Sequence, residues 1–156
     1  MSARDSDRVR AEVLEGWERM AARWGQAADE MRGPWMPVSS WLIDALALAP
    51  GQRVLELAAG PGDTGFLAAE LIAPGGLLIS SDAAEGMLEV ARERAARLGI
   101  TNVEFQQLSL EWIDLPAADV DAVLCRWGLM FAIDPGAALQ EMRRVTRPGG
   151  RVALAV

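Results

Sequence analysis

Beyond residue 52 the chain switches repeatedly between short apolar runs and stretches whose apolar residues recur every three or four positions. No other feature constrains the fold as much. Residues 53–58 read as a buried strand, and 64–72 as a helix closed by Ala73-Pro74-Gly75. Residues 77–81 read as the next strand, and 84–98 as a helix stopped by Gly99. Strands follow at 103–108 and 120–126, then a helix at 135–145, the turn Arg147-Pro148-Gly149-Gly150 and an apolar strand at 151–156. Parallel strands need long crossovers, so this order calls for helices covering a mostly parallel sheet.

Ahead of that unit, Val9, Val13, Trp17, Met20, Trp24, Ala28 and Met31 draw one stripe along an amphipathic helix. Asp5 or Ser6 is expected to cap its start and Gly33-Pro34 to end it, since proline disfavours helical geometry in the residue before it. A second helix is expected with Ser39 or Ser40 near its start, Trp41, Leu42, Ala45 and Leu46 inward, and Pro50-Gly51 at its end. Residues 1–50 thus form a helical cap, and 51–156 the core.

The 156 residues suffice for one domain with a real core. His and Tyr are absent and Cys125 is the single cysteine, which argues against metal centres, hydrolase triads and phenolic acid–base chemistry. Twenty-two acids face fifteen bases, all of them Arg, for a net charge of −7, so nucleic acid is not an expected partner. The lone cysteine, a charged N-terminus and the absence of a long apolar run place the expected setting in the cytoplasm, away from membranes.

The strand Val54-Leu55-Glu56-Leu57-Ala58 runs into Ala59-Gly60-Pro61-Gly62-Asp63-Thr64-Gly65, and Asp82 closes the following strand. Taken literally, Gly60 to Gly65 is the G-x-G-x-x-G of dinucleotide sites, where helix N-terminal amides hold a pyrophosphate and a later acid holds a ribose. Glu56 argues against that ligand. A buried acid four residues before Gly60 repels a pyrophosphate but attracts an ammonium, through water if needed. S-adenosylmethionine carries an ammonium, a carboxylate and a ribose for Asp82.

Residues 52–156 resemble the class I S-adenosylmethionine-dependent methyltransferases, in particular the small-molecule group with the ubiquinone/menaquinone-biosynthesis type of core. Glu56, Ala58, Gly60 and Gly62 match the family's D/E-x-G-x-G-x-G, with Ala58 replacing the first glycine. The resemblance implies that Asp82 binds the ribose hydroxyls, that Ala83 and Met87 belong to the segment packing on adenine, and that Ser109, followed by Leu110 and Glu111 in the same cofactor-binding stretch, occupies the adenine-amino position, where the family often has Asp. It places Arg126, in Cys125-Arg126-Trp127-Gly128, where the methionine moiety is held and the acceptor cavity begins.

The expected fold is therefore α/β, a Rossmann-like parallel sheet in the order 3-2-1-4-5 with helices on both faces and two leading helices. The family's last two strands are absent from these residues, so the chain reads as cut short, and its last strand as a route to homo-oligomers. The expected reaction is methyl transfer from S-adenosylmethionine to a small-molecule acceptor. It needs no obligatory base, because the sulfonium is already a strong electrophile and proximity supplies much of the acceleration. Glu111 or Asp134 is available to assist. Trp24 and Trp127 are candidates for the cavity wall, since indole faces suit a sulfonium cation. The alternatives are a nicotinamide-dependent oxidoreductase and a non-catalytic binding module.

Overall fold

The structure, a computed structural model, describes residues 3–156. The elements run α1 (Ala3–Leu46), β1 (Arg53–Leu57), α2 (Asp63–Ile72), β2 (Leu77–Asp82), α3 (Glu85–Leu98), β3 (Val103–Gln107), β4 (Val120–Arg126), a 3-10 turn at Leu129–Phe131, α4 (Pro135–Val145) and β5 (Thr146–Ala155). All four pairings are parallel and the order is β3-β2-β1-β4-β5, as the resemblance implies.

The strands alternate their side chains between two apolar layers. On one face Val54, Leu78, Ala122 and Leu124 pack beneath α2, α3 and the end of α1, through residues such as Phe66, Ala69, Ala91, Leu42 and Leu46. On the other, Leu55, Leu57, Ile79 and Val123 pack against Ala138, Met142 and Val145 of α4. Helices therefore cover both faces. At the usual yield of ~25 cal/mol per Å² of apolar surface, burial in these layers is the main force holding the sheet closed.

The two leading helices are one. A single 44-residue helix passes through Gly33 and contains Pro34 and Pro37. An interior proline removes an amide and crowds the carbonyl four residues back, at a cost of ~3 kcal/mol. Here the carbonyls left without that bond belong to Glu30 and Gly33, both exposed to water. Burial of Leu42, Ile43 and Leu46 and the packing of Trp35 against Trp24 and Trp127 offset the cost. Asp5 and Ser6 consequently lie within the helix, not at its cap. The buried face of the last turns is also rotated from expectation: Trp41 is 62% exposed and Ala45 is exposed, while Ile43 points inward.

The last strand differs too. It begins at Thr146 and absorbs the Arg-Pro-Gly-Gly turn in a register shift opposite β4, while it forms the edge of the sheet that the expected order gives it. Among the described residues no helix is long and apolar enough to cross a membrane.

Candidate cofactor site

The carboxyl ends of β1, β2, β3 and β4 open onto one cavity of about 430 Å³, within the ~300–1,000 Å³ usual for small-molecule sites. Ala58, Gly60, Asp82, Ala83, Met87, Ser109, Leu110 and Arg126 all line it. This is where a parallel α/β sheet binds ligands, because the connections diverge where the strand order reverses. Helix α1 supplies the roof: Arg10, Val13, Leu14, Trp17, Trp24 and Trp35 face the same space.

Asp82 organises the floor. One oxygen accepts the Gly60 amide at 2.9 Å and the other the Ala84 amide at 3.0 Å, which ties the glycine loop to the start of α3. Burial raises its pKa, against the pull of those amides. A carboxylate has about four lone-pair sites, so two remain for hydroxyl donors from the cavity. Ser109 Oγ accepts the Glu111 amide at 3.3 Å and keeps its proton to donate. Ala58, at the family's first glycine, sits at φ +51°, in the left-handed region that glycine occupies without strain.

Two expected residues stand behind the wall. Gly62 does not line the cavity; at φ +88° it begins α2, and a Cβ there would meet the Phe66 ring. Glu56 does not reach the cavity either. Its carboxylate, 3% exposed, accepts the Gly65 amide at 2.8 Å, and Ser80 Oγ donates to it at 3.4 Å. Burial pushes the Glu56 pKa up to about 8, against the Gly65 amide and the Arg126 charge. A neutral acid facing α2 is poorly suited to hold an ammonium, so the attraction expected from sequence does not operate by direct contact.

Neither proposed helper is a free base. Asp134 caps α4 by accepting the Ala137 amide at 3.0 Å. Glu111 lines the cavity, but it accepts Arg10 Nη2 at 2.5 Å and the Asp134 amide at 2.8 Å. Burial works to raise its pKa, yet those donors pull it below the ordinary carboxylate value.

The aromatic wall exceeds expectation. Trp24 and Trp127 both line the cavity, joined by Trp17, Trp35 and Phe131. The rings form a continuous run, Phe131 to Trp17 to Trp24 to Trp35 to Trp127, at centroid separations of 5.1, 6.1, 5.2 and 5.5 Å. Trp35 was hidden by the expected helix stop at Gly33-Pro34; its spacing from Trp24, eleven residues or about three turns, was the available signal.

The profile described as "Methyltransferase domain" matches residues 48–155. The chain belongs to this methyltransferase domain family. A ubiquinone/menaquinone biosynthesis C-methyltransferase, UbiE, from Pasteurella multocida (strain Pm70) is 37% identical over 111 residues, covering 70% of this chain and 41% of that protein. A demethylmenaquinone methyltransferase from Clavibacter sepedonicus is 42% identical over 112 residues, covering 70% and 43%. The crystal structure of a SAM-dependent methyltransferase from Aquifex aeolicus superposes with a TM-score of 0.65 at 25% identity, covering 70% of this chain and 58% of its own. The chain thus spans about half the length of the curated relatives it matches. As a member of this methyltransferase family it is matched to S-adenosylmethionine as cofactor. The residues present suit that molecule: a carboxylate with two open acceptor sites, an apolar shelf of Ala83, Met87 and Leu110, and a cavity of suitable size.

Proposed function

We propose that this chain forms the cofactor-binding part of an enzyme that methylates a small, flat, largely apolar acceptor, with residues 1–50 as its cap and 51–156 as its core. The observation that carries this reading is the convergence of Gly60, Asp82, Met87 and Ser109 on one cavity roofed by tryptophans. Asp82 takes the ribose hydroxyls, Ala83, Met87 and Leu110 flank the adenine, and Ser109 meets its polar edge. Bound there, S-adenosylmethionine supplies an electrophilic methyl group.

What the chain contributes is placement and dryness. The run of indoles excludes water and presents faces that attract a sulfonium, and holding two reactants in line is worth on the order of 7–11 kcal/mol in favourable systems. With Glu111 and Asp134 both occupied, the acceptor is one that is acidic enough, or nucleophilic enough, to react without a dedicated base. The relatives named for quinone biosynthesis and the aromatic wall both favour carbon methylation of a quinone-type ring.

The test is Asp82→Ala. Loss of its two acceptor positions lowers the affinity for S-adenosylmethionine by about tenfold or more, the usual scale for charge-assisted hydrogen bonds. Unchanged affinity removes Asp82 from the site and the reading with it.

A further inference from the structure

The loop Gly60-Pro61-Gly62 has no side chain able to form a hydrogen bond, and both of its glycines sit at positive φ. It is gripped from outside. Asp82, in the cavity wall, accepts the Gly60 amide at 2.9 Å. Arg94 of α3, 5% exposed and outside that wall, donates from Nη1 to the Pro61 carbonyl at 2.5 Å and from Nη2 to Asp63 at 2.8 Å. The other Asp63 oxygen faces Arg126, a cavity residue, at 3.8 Å. The same Arg94 Nη2 reaches Asp29 of α1 at 2.9 Å. One guanidinium therefore joins α3, the glycine loop, the start of α2 and the roof helix.

The place of Asp29 in α1 gives this junction its consequence. It stands between Trp24 and Trp35, two of the rings that line the cavity, and just before the stretch where Pro34 and Pro37 leave the carbonyls of Glu30 and Gly33 without their helical bonds. The helix is weakest there, so the part that carries Trp17 and Trp24 depends on its own fastenings to the core. These are Arg10 on Glu111, Glu18 on the amides that open α3, and Asp29 on Arg94 and Arg97. Of the three, only Asp29 leads through Arg94 to the glycine loop. A buried ion pair adds little net stability over apolar residues of the same volume, and its better use is to select one arrangement. A planar fork of five donors can hold a carbonyl and two carboxylates at once, which the single ammonium of lysine does less well.

We propose that Arg94 is a positioning residue that couples the roof helix to the glycine loop. With Asp29 docked on Arg94 the loop keeps the shape that receives a ligand, and a ligand seated against the loop in turn holds α1 down. This rests on the reading of the cavity as an adenosyl-ligand site and adds to it how that site closes. Arg94 acts through Pro61 and Asp63 and does not itself reach the cavity. Coupling of this kind is reciprocal: loosening α1 weakens the ligand by the factor by which the ligand tightens α1.

The experiment compares the unaltered chain with Asp29→Ala, Arg97→Gln, Arg94→Lys and the double variant Asp29→Ala/Arg94→Lys. Amide hydrogen exchange is followed by NMR without ligand and with S-adenosylhomocysteine, whose affinity is measured by calorimetry. Alanine favours a helix, so Asp29→Ala removes the contact without weakening α1 itself. In the free chain Asp29→Ala speeds exchange severalfold at the Gly62 and Gly65 amides, which are bonded within the loop region to Ala59 and Glu56. Arg97→Gln, which removes only the exposed partner of Asp29, leaves them unchanged. With S-adenosylhomocysteine the unaltered chain gains protection in α1 between Trp17 and Asp29; Asp29→Ala loses most of that gain and binds about three- to fivefold more weakly, the scale of an ion pair with one exposed partner. Arg94→Lys weakens binding by about tenfold or more, and adding Asp29→Ala to it costs nothing further. Unchanged exchange at Gly62 and Gly65 in Asp29→Ala overturns the proposal, as does an unchanged affinity or an additive loss in the double variant. If Arg94→Lys does not fold, Asp29→Ala decides alone. Should the unaltered chain bind no S-adenosylhomocysteine, the cofactor reading falls, and exchange in the free chain still decides the coupling.

Discussion

The Glu56 carboxylate accepts the amide of Gly65 at 2.8 Å, and a Cβ at position 65 would collide with that carboxylate. The glycine thus serves a close approach between β1 and α2, and the acid sits in a pocket too tight for water to stabilise its charge.

A pH dependence of stability follows. The folded chain holds the Glu56 proton up to about pH 8, whereas the ordinary value is 4.5. Between those values the native state binds more protons than the unfolded chain, so stability falls as pH rises, at most by about 1.4 kcal/mol per unit. Below 4.5 and above about 8 this group contributes no slope. Glu56→Gln preserves the acceptor for Gly65 and removes the titration, so its melting temperature declines less between pH 5 and 8 than that of the unaltered chain. Part of the decline persists, because the Asp82 pKa is raised in the same direction. Parallel melting curves for the two proteins contradict the assignment.

Glu18 illustrates a cap supplied from outside the helix it serves. The segment before α3 offers no side-chain cap, Ala84 standing at that position. From α1, Glu18 accepts the amides of Glu85 at 2.7 Å and Gly86 at 2.9 Å. Glu18→Ala is expected to cost about 1 kcal/mol, the usual scale for losing an N-terminal cap, and to speed hydrogen exchange at those two amides. Chemical denaturation and exchange measured by NMR check both; unchanged exchange at Glu85 and Gly86 contradicts the capping role.

The strand–helix alternation and the cavity floor were legible because they depend on patterns that neighbours in sequence determine: the change of period after residue 52, the glycine loop, and an acid at the end of β2; the sheet order followed from the family resemblance that those motifs carry. Eight of the ten expected binding residues line one cavity, and the two that do not, Glu56 and Gly62, are used to build its wall. What the sequence concealed depends on distant partners. The continuity of α1 through Pro34 and Pro37 is a local violation sustained by packing far along the chain. Ser39, expected near a helix start, instead lies near the end of α1, where its hydroxyl bonds Thr64 at 2.9 Å and accepts from Arg126. The direction of the Glu56 carboxylate, toward α2 instead of the cavity, is set by the strand's two-residue alternation combined with the missing side chain at Gly65.

The central claim is that the cavity between the strand ends and α1 takes an adenosyl ligand. Calorimetric titration of the chain with S-adenosylmethionine, S-adenosylhomocysteine and NADH tests it most directly. The account predicts saturable binding of both adenosyl ligands, one per chain, and none of NADH. Binding of NADH, or of none of the three, would contradict it.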